Sequence, residues 1–289
     1  MDLSVIIVNY KDYSSLRNCL ASVWQAIQEI NAEIMVVDNN SVHQERVLLQ
    51  NEFPIVSWII NHENKGFAKA NNQALAVAKG LFFLFLNPDT IVPKHIFETI
   101  LTYCNQHIQV GACGVQMVNG NGVFLPESKR SIPGMRAAFF KMIGLAKLFP
   151  SSSFFNAYAL GGLSKNGTHV VGALTGAFLW VRKEVVEKMG GFDERFFMYG
   201  EDIDFCYRMQ QEGFEVHYIG SLQITHFKGT STNKKSKAYR QHFYGSMELF
   251  VKKYSPAMYS RTAKWILVIG IRLARCLATI KHFLLRLSQ

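Results

Sequence analysis

Six side chains stand where chemistry would need them: Asp38, Asp89, Glu201, Asp202, Asp204 and His226. Asp38 closes the apolar run EIMVV, and Asp89 follows the run FFLFL by three residues. Both carboxylates are expected at the carboxyl ends of neighbouring buried strands, the edge at which open α/β sheets bind ligands. A carboxylate there needs a counter-charge, and a metal ion on a bound phosphate supplies one. Each acid also has a plainer reading, as the cap of the turn or helix that follows it. Gly200-Glu201-Asp202-Ile203-Asp204 crowds three acids into four positions. The positive end of a helix dipole accounts for part of that clustering. Mutual repulsion raises the pKa of one member, which suits a general base. Arg208, four residues after Asp204, is placed to pair with it, so Asp202 reads as the freer carboxylate. His226 follows an extended piece and precedes Lys228-Gly229-Thr230-Ser231-Thr232, a phosphate-facing arrangement in which imidazole is a common metal ligand. A lone histidine is otherwise more often structural.

Asn64-Lys65-Gly66-Phe67 joins a glycine turn to a helix start, whose backbone N–H groups make an anion site. It matches neither GxGxxG nor a Walker loop. Asn72 is mildly unfavourable inside that helix, which points to a role for its side chain.

Elements must position these residues. Periodicity predicts strands at 3–8, 33–37, 56–61, 82–86 and 113–118, and short extended pieces at 216–219 and 223–225. It predicts helices at 14–30, 67–79, 94–107, 183–189 and 201–213. The first has Ser14 or Ser15 as cap and Leu16, Leu20, Val23, Trp24 and Ile27 on one side; Gly80 is the expected stop of the second. FFLFL is apolar throughout, as a strand buried on both faces must be, and Pro88 ends its ladder. Strand–helix–strand alternation implies right-handed crossovers and a parallel sheet. Residues 119–165 lack a clear period and read as an insertion near the second substrate.

The chain has 289 residues, 49% hydrophobic and 18% charged, enough to bury a large core. Its five cysteines are scattered, without a CxxC pair, which argues for a reducing compartment and against a disulfide framework or zinc site. MDLSVIIVNY reads as a strand and not as a signal peptide, so the Asn166-Gly167-Thr168 sequon carries no weight. Residues 228–289 hold 13 Lys and Arg against one acid, Glu248, whereas the other 227 residues hold 18 basic and 20 acidic residues. Such a tail suggests nucleic acid or an anionic membrane. In 265–287, Arg272, Arg275, Thr279, His282 and Arg286 form one polar stripe on an apolar helix. The uncharged run 265–271 is far below the ~20 residues of a membrane span, so the helix is expected to lie in the membrane interface. Packing on the domain or on a second subunit is the alternative.

The segments SVIIVNY, VVDNNS, NKGFAKANN, FLNPDT, TGAFLWVRKEVVEKMGGFDERFFMYGEDIDFCYR and THFKGTS, in this order over residues 3 to 232, resemble a family 2 glycosyltransferase of its rhamnosyltransferase-like branch. The resemblance implies the GT-A fold, an α/β architecture with a mostly parallel central sheet flanked by helices. It implies a catalytic domain over 1–232, divided into a nucleotide-binding half (1–118) and an acceptor half (119–232), ahead of a basic helical tail (233–289). Implied contacts to the nucleotide-sugar are Val8, Asn9, Tyr10, Asp38, Asn64, Gly66, Asn72, Asn87 and Asp89. Asp89 and His226 match ligands of a divalent cation, Mg2+ or Mn2+, with the 228–232 loop near the diphosphate. Asp202 matches the catalytic base, supported by Glu201, Asp204 and Arg208. Asn87 stands where the metal-binding DxD motif has its first acid, which removes one negative charge beside the metal.

The implied reaction is inverting transfer of L-rhamnose from dTDP-L-rhamnose to a saccharide hydroxyl, on a lipid-linked precursor of a cell-surface polysaccharide, at the cytoplasmic face of the cell membrane. A UDP-sugar carrying glucose, galactose or N-acetylhexosamine is the alternative donor. Nucleic-acid binding would use the basic tail but leave the acids unexplained, because carboxylates repel phosphate; no nucleic-acid partner is expected. A nicotinamide dehydrogenase would need a glycine-rich turn after the first strand, where the chain has Asn9-Tyr10-Lys11-Asp12.

Overall fold

The computed structural model describes residues 1–41, 43–134, 137, 140, 145–227 and 236–287. The 228–232 loop and the side chains of His282 and Arg286 lie outside the described residues. Alternation builds the first part of the chain: β1 (Leu3–Asn9), α1 (Tyr13–Ala26), β2 (Ala32–Asn39), α2 (His43–Glu52), β3 (Val56–Asn61), α3 (Phe67–Leu75), β4 (Phe82–Leu86) and the short β5 (Thr90–Ile91). The first four strands run parallel in the order β3-β2-β1-β4. All five residues of β4 are buried. Phe82, Leu84 and Leu86 enter the core that holds Leu16, Leu20 and Val23 of α1, while Phe83 and Phe85 enter the core on the other face. Burying each such side chain contributes roughly 1.5–3 kcal/mol.

Local chemistry sets several boundaries differently from the periodicity. The cap of α1 is Asp12, whose side chain accepts from Ser15 N at 3.2 Å. Trp24 is exposed, and Cys19 takes its place in the buried stripe. α3 ends at Leu75, well before Gly80. Gly80 instead passes close to β1, where its N–H donates to Ser4 Oγ at 2.8 Å and a Cβ would collide with backbone.

Beyond β5 come α4 (Ile96–Gln106), β6 (Val110–Val118), α5 (Leu145–Leu148), β7 (Thr168–Val170), β8 (Phe178–Arg182), α6 (Lys183–Met189), α7 (Glu201–Gln211) and β9 (Glu215–His226). Here the sheet becomes mixed. β8 is antiparallel to both β4 and β6, β6 and β9 are parallel, and β5 and β7 each pair antiparallel with β9. The two extended pieces expected at 216–225 form one strand, whose pairing with β6 jumps from Val115↔Ile219 to Gln116↔Gln223. That irregularity breaks the period read in the sequence.

Two long helices complete the described chain, α8 (Lys237–Met258) and α9 (Arg261–Leu287). Phe250 and Tyr254 of α8 pack on Phe196. Beneath them Asp204, fully buried on α7, accepts hydrogen bonds from Arg208 Nε (2.9 Å), Tyr254 Oη (2.6 Å) and Lys253 Nζ. The expected Asp204–Arg208 pair is thus part of a larger cluster. Lys253 also reaches Asp193 at 2.7 Å, and Arg208 donates to the carbonyls of Met189 and Gly191. Removing one member of such a buried group strands the charges left behind, at about 3–5 kcal/mol. Asp204→Ala is therefore expected to destabilise the protein by about that amount in urea unfolding, and Tyr254→Phe by about 1 kcal/mol. A loss below ~1 kcal/mol for Asp204→Ala would show that this cluster does not hold α8 in place.

Candidate active site

The carboxyl ends of β1, β2 and β4 lie side by side, with Asn9 opposite Asp38 and Ile7 opposite Leu86. A cavity of about 500 Å³ opens at this edge, within the range of ligand sites. Of the expected site residues, Val8, Tyr10, Asn64, Asn87 and Asp89 line it together with Glu201, Asp202 and His226. Side chains as far apart in sequence as Val8 and His226 therefore reach one space by the topology of the sheet.

The remaining expected residues stand outside the cavity wall. Successive side chains of a strand point to opposite faces, so Asp38 and Asn39 divide the end of β2. Asp38 is fully buried and accepts from Tyr13 Oη (2.9 Å) and Arg46 Nη1 (3.0 Å), and burial followed by this carboxylate pushes the Tyr13 phenol up. Asn39 takes the cavity wall instead. It donates to Asn64 Oδ1 at 2.8 Å and accepts from Lys65 N and Asn61 Nδ2, which fixes the turn before α3. Gly66 supplies that turn with φ +82°, and a Cβ there would collide with Phe197. Asn72 bonds Phe192 through both its N–H and its carbonyl, latching α3 to the loop before α7. Asn9 is fully buried, and neither of its amide atoms has a hydrogen-bond partner among the described residues. Asp204 and Arg208 belong to the cluster under α8 described above.

Asp89 and His226 are brought together by backbone pairing. β5 and β9 set Thr90 opposite His226, and Phe227 N donates to the Asp89 carbonyl at 2.8 Å. His226 Nε2 then stands 3.1 Å from Asp89 Oδ1, both residues buried, while His226 Nδ1 has no hydrogen-bond partner among the described residues. One carboxylate oxygen and one imidazole nitrogen facing a ligand cavity suit a divalent cation that takes its other positions from phosphate and water. Among the described residues no group of three or more His, Cys, Asp and Glu side chains is placed to hold a metal. Asn87 also lines the cavity, beside Asp89.

The three acids of α7 have three different environments. Tyr199 (φ +71°) and Gly200 (φ +82°) make a left-handed turn that starts the helix; for a tyrosine this conformation is strained. Glu201 is pushed well above the usual carboxylate range, first by burial and then by the charge of Asp202. The acid with the raised pKa is therefore Glu201. Asp202 is not the free carboxylate that the spacing of Arg208 implied. Its Oδ2 accepts from Arg130 Nη2 at 2.6 Å and from Gly176 N at 3.2 Å, and its Oδ1 accepts from Ile203 N at 2.8 Å. Burial would lower the Arg130 pKa, but the Asp202 charge raises it above the ordinary value. Arg130 Nη2 donates to the Leu174 carbonyl as well.

Arg130 and Asn39 went unnoticed in the sequence, as did the wall that α8 and α9 contribute through Phe243, Met247, Phe250, Leu267 and Ile271. For Arg130 the one signal was the basic pair Lys129-Arg130 in an otherwise apolar, Gly- and Ser-rich stretch.

The family described as "Glycosyltransferase like family 2" matches residues 2–245. A low-salt glycan biosynthesis hexosyltransferase of Haloferax volcanii is 25% identical over 286 residues, covering 96% of this chain and 85% of that protein. An N-acetylglucosaminyl-diphospho-decaprenol L-rhamnosyltransferase of Mycobacterium tuberculosis is 24% identical over 276 residues, covering 92% and 89%. A mannosyltransferase of Pyrobaculum calidifontis, solved with GDP-Man and Mn2+, superposes with TM-score 0.59 at 15% identity, covering 97% of this chain and 72% of that one. With a family match over most of its length and these relatives, the chain is a member of glycosyltransferase family 2, a transferase built on the GT-A fold.

Proposed function

We propose that this glycosyltransferase moves a sugar with inversion from a nucleotide-sugar to a hydroxyl of a lipid-linked saccharide, in the making of a cell-surface glycan. The observation that carries the reading is the sharing of one cavity by Asp89, His226 and Asp202. An inverting displacement needs a base for the incoming hydroxyl and stabilisation of the leaving diphosphate, and no covalent nucleophile. Asp202 is the base. Of about four acceptor positions on a carboxylate, Arg130, Gly176 and Ile203 take three, leaving one on Oδ1 for the acceptor hydroxyl. Arg130 and the start of α7 fix the orientation of that carboxylate. Asp89 and His226 would hold a divalent cation, Mg2+ or Mn2+, which would supply positive charge to offset that of the diphosphate. The rhamnosyl relative in Mycobacterium tuberculosis favours dTDP-L-rhamnose as donor, with UDP-hexoses as the competing choice.

The C-terminal helices support attachment to an anionic membrane surface. Among the described residues no helix is long and apolar enough to cross a membrane. On α9, Trp265, Ile266, Ile269, Leu273, Leu277 and Ile280 are exposed in one stripe, on a helix that also carries Arg272 and Arg275. An apolar stripe bordered by cations is the pattern of an interfacial helix.

Four experiments test these assignments. In a donor screen, dTDP-L-rhamnose should be turned over in preference to UDP-hexoses. Asp202→Asn should lower turnover by about 10²–10⁴-fold with nucleotide affinity kept, and Asp89→Asn should abolish the response to Mg2+ or Mn2+. Near-normal turnover of Asp202→Asn removes it as base, and an intact metal response removes Asp89 as ligand. Arg130→Gln should lower kcat by about 10²-fold with donor KM little changed, and Arg130→Lys should recover part of that loss. A pure rise in donor KM would assign Arg130 to donor binding instead. Finally, Leu273→Glu with Leu277→Glu should release the protein from phosphatidylglycerol vesicles in co-sedimentation, and unchanged binding would refute the interfacial role of α9.

A further inference from the structure

The cavity does not end at the chemistry. Beyond Asp202 it continues along α8 and α9, where its wall is Phe243, Met247, Phe250 and Val251 on one helix and Leu267 and Ile271 on the other. Their spacings of four, three and one on α8 and four on α9 set them as continuous stripes facing the same space. Two of the polar groups at this end are already used: Ser246 Oγ donates to the Met198 carbonyl, and Tyr259 Oη donates to the Pro133 carbonyl. A saccharide bound here would lose its hydrogen bonds to water and find few replacements. A hydrocarbon chain loses nothing and gains burial.

We infer that this apolar end is a subsite for the hydrocarbon chain of the acceptor lipid, with the saccharide end of the acceptor directed toward Asp202. The inference deepens the proposed function and rests on its lipid-linked acceptor. Two further observations favour a lipid over another apolar occupant. Residues 237–287, which build α8 and α9, hold ten Lys and Arg against one acid, Glu248, a balance that suits a phosphate-bearing lipid. The helix that supplies Leu267 and Ile271 also presents the exposed stripe beginning at Trp265 and Ile266. One helix thus offers a lipid surface on its outside and a chain subsite on its inside. The helix that supplies four of these wall residues, α8, is the one anchored to Asp204 through Lys253 and Tyr254.

The test uses farnesyl diphosphate as a chain-bearing probe and inorganic diphosphate as its chainless control, each titrated into the full-length protein saturated with dTDP. Farnesyl diphosphate should bind roughly tenfold or more tighter than inorganic diphosphate. Met247→Gln, at a half-exposed position, should remove that advantage, and Ile271→Trp should remove it by filling the space. Affinity for dTDP, measured on the same preparations, reports whether each variant is folded. Equal affinity for the two probes overturns the subsite, and so does an advantage that survives both substitutions. A dimer in sedimentation that Ile271→Trp dissociates, with farnesyl binding untouched, also overturns it and makes the groove a subunit contact. Donor turnover is scored separately. Turnover without chain preference leaves the transferase reading standing and removes the subsite alone, whereas chain preference without turnover from any nucleotide-sugar supports the subsite and removes the transfer reading.

Discussion

Asp204 is the point on which the active-site wall depends. A fully buried carboxylate is costly unless every charge around it is matched, and here Arg208, Lys253 and Tyr254 match it. These partners come from α7 and α8, and Arg208 extends the grip to the backbone at 189 and 191. The same short segment carries Asp202, the proposed base, two residues earlier. Whatever keeps α8 seated therefore also keeps Asp202 at its position in the cavity. The apolar contacts of Phe196, Phe250 and Tyr254 lie over this cluster and shield it from water, which strengthens each bond within it.

Three acids in four positions would repel one another if they shared one environment. The fold separates them. Burial and the charge of Asp202 push the Glu201 carboxyl well above the usual carboxylate range, Asp202 is matched by Arg130, and Asp204 is matched from α7 and α8. A shift in that direction lessens the repulsion that the sequence suggests. Arg130 is held beside the segment that leads into β8 by a bridge to Ala173 and by the Leu174 carbonyl. The Arg130 pair fixes the orientation of the Asp202 carboxylate, and under the proposed function a base held in one rotamer keeps the geometry on which transfer depends.

Much of the fold was legible because its signals are local. FFLFL announced a strand buried on both faces, and the parallel order of the first four strands followed from alternation with helices. Asp89, Asp202 and His226 stood out by residue type and by their places at element ends. What stayed hidden depends on contacts between distant segments. Asp38 and Asn39 look equally able to face a ligand, and only the pleat decides that Asn39 does so. Arg130 sits in a stretch without period, so its pairing 72 residues away could not be read. β9 looked like two pieces because its pairing with β6 skips residues at 220–222. The C-terminal helices were read as a tail because their charge dominates their composition, while their inward-facing stripes meet the catalytic cavity only after the chain has folded back.

That return of the chain changes how its charge is understood. A basic, amphipathic helix alone predicts attachment to a surface and nothing about chemistry. Packed on α8, the same helix gives one apolar stripe to solvent and another to the cavity that holds Asp202. A soluble sugar acceptor would need neither stripe. An acceptor whose sugar is carried by a lipid needs both, because its head must reach the base while its chain remains out of water. The placement of α9 thus joins the two proposals: the stripe assigned to the membrane surface and the groove assigned to the lipid chain are two faces of one helix.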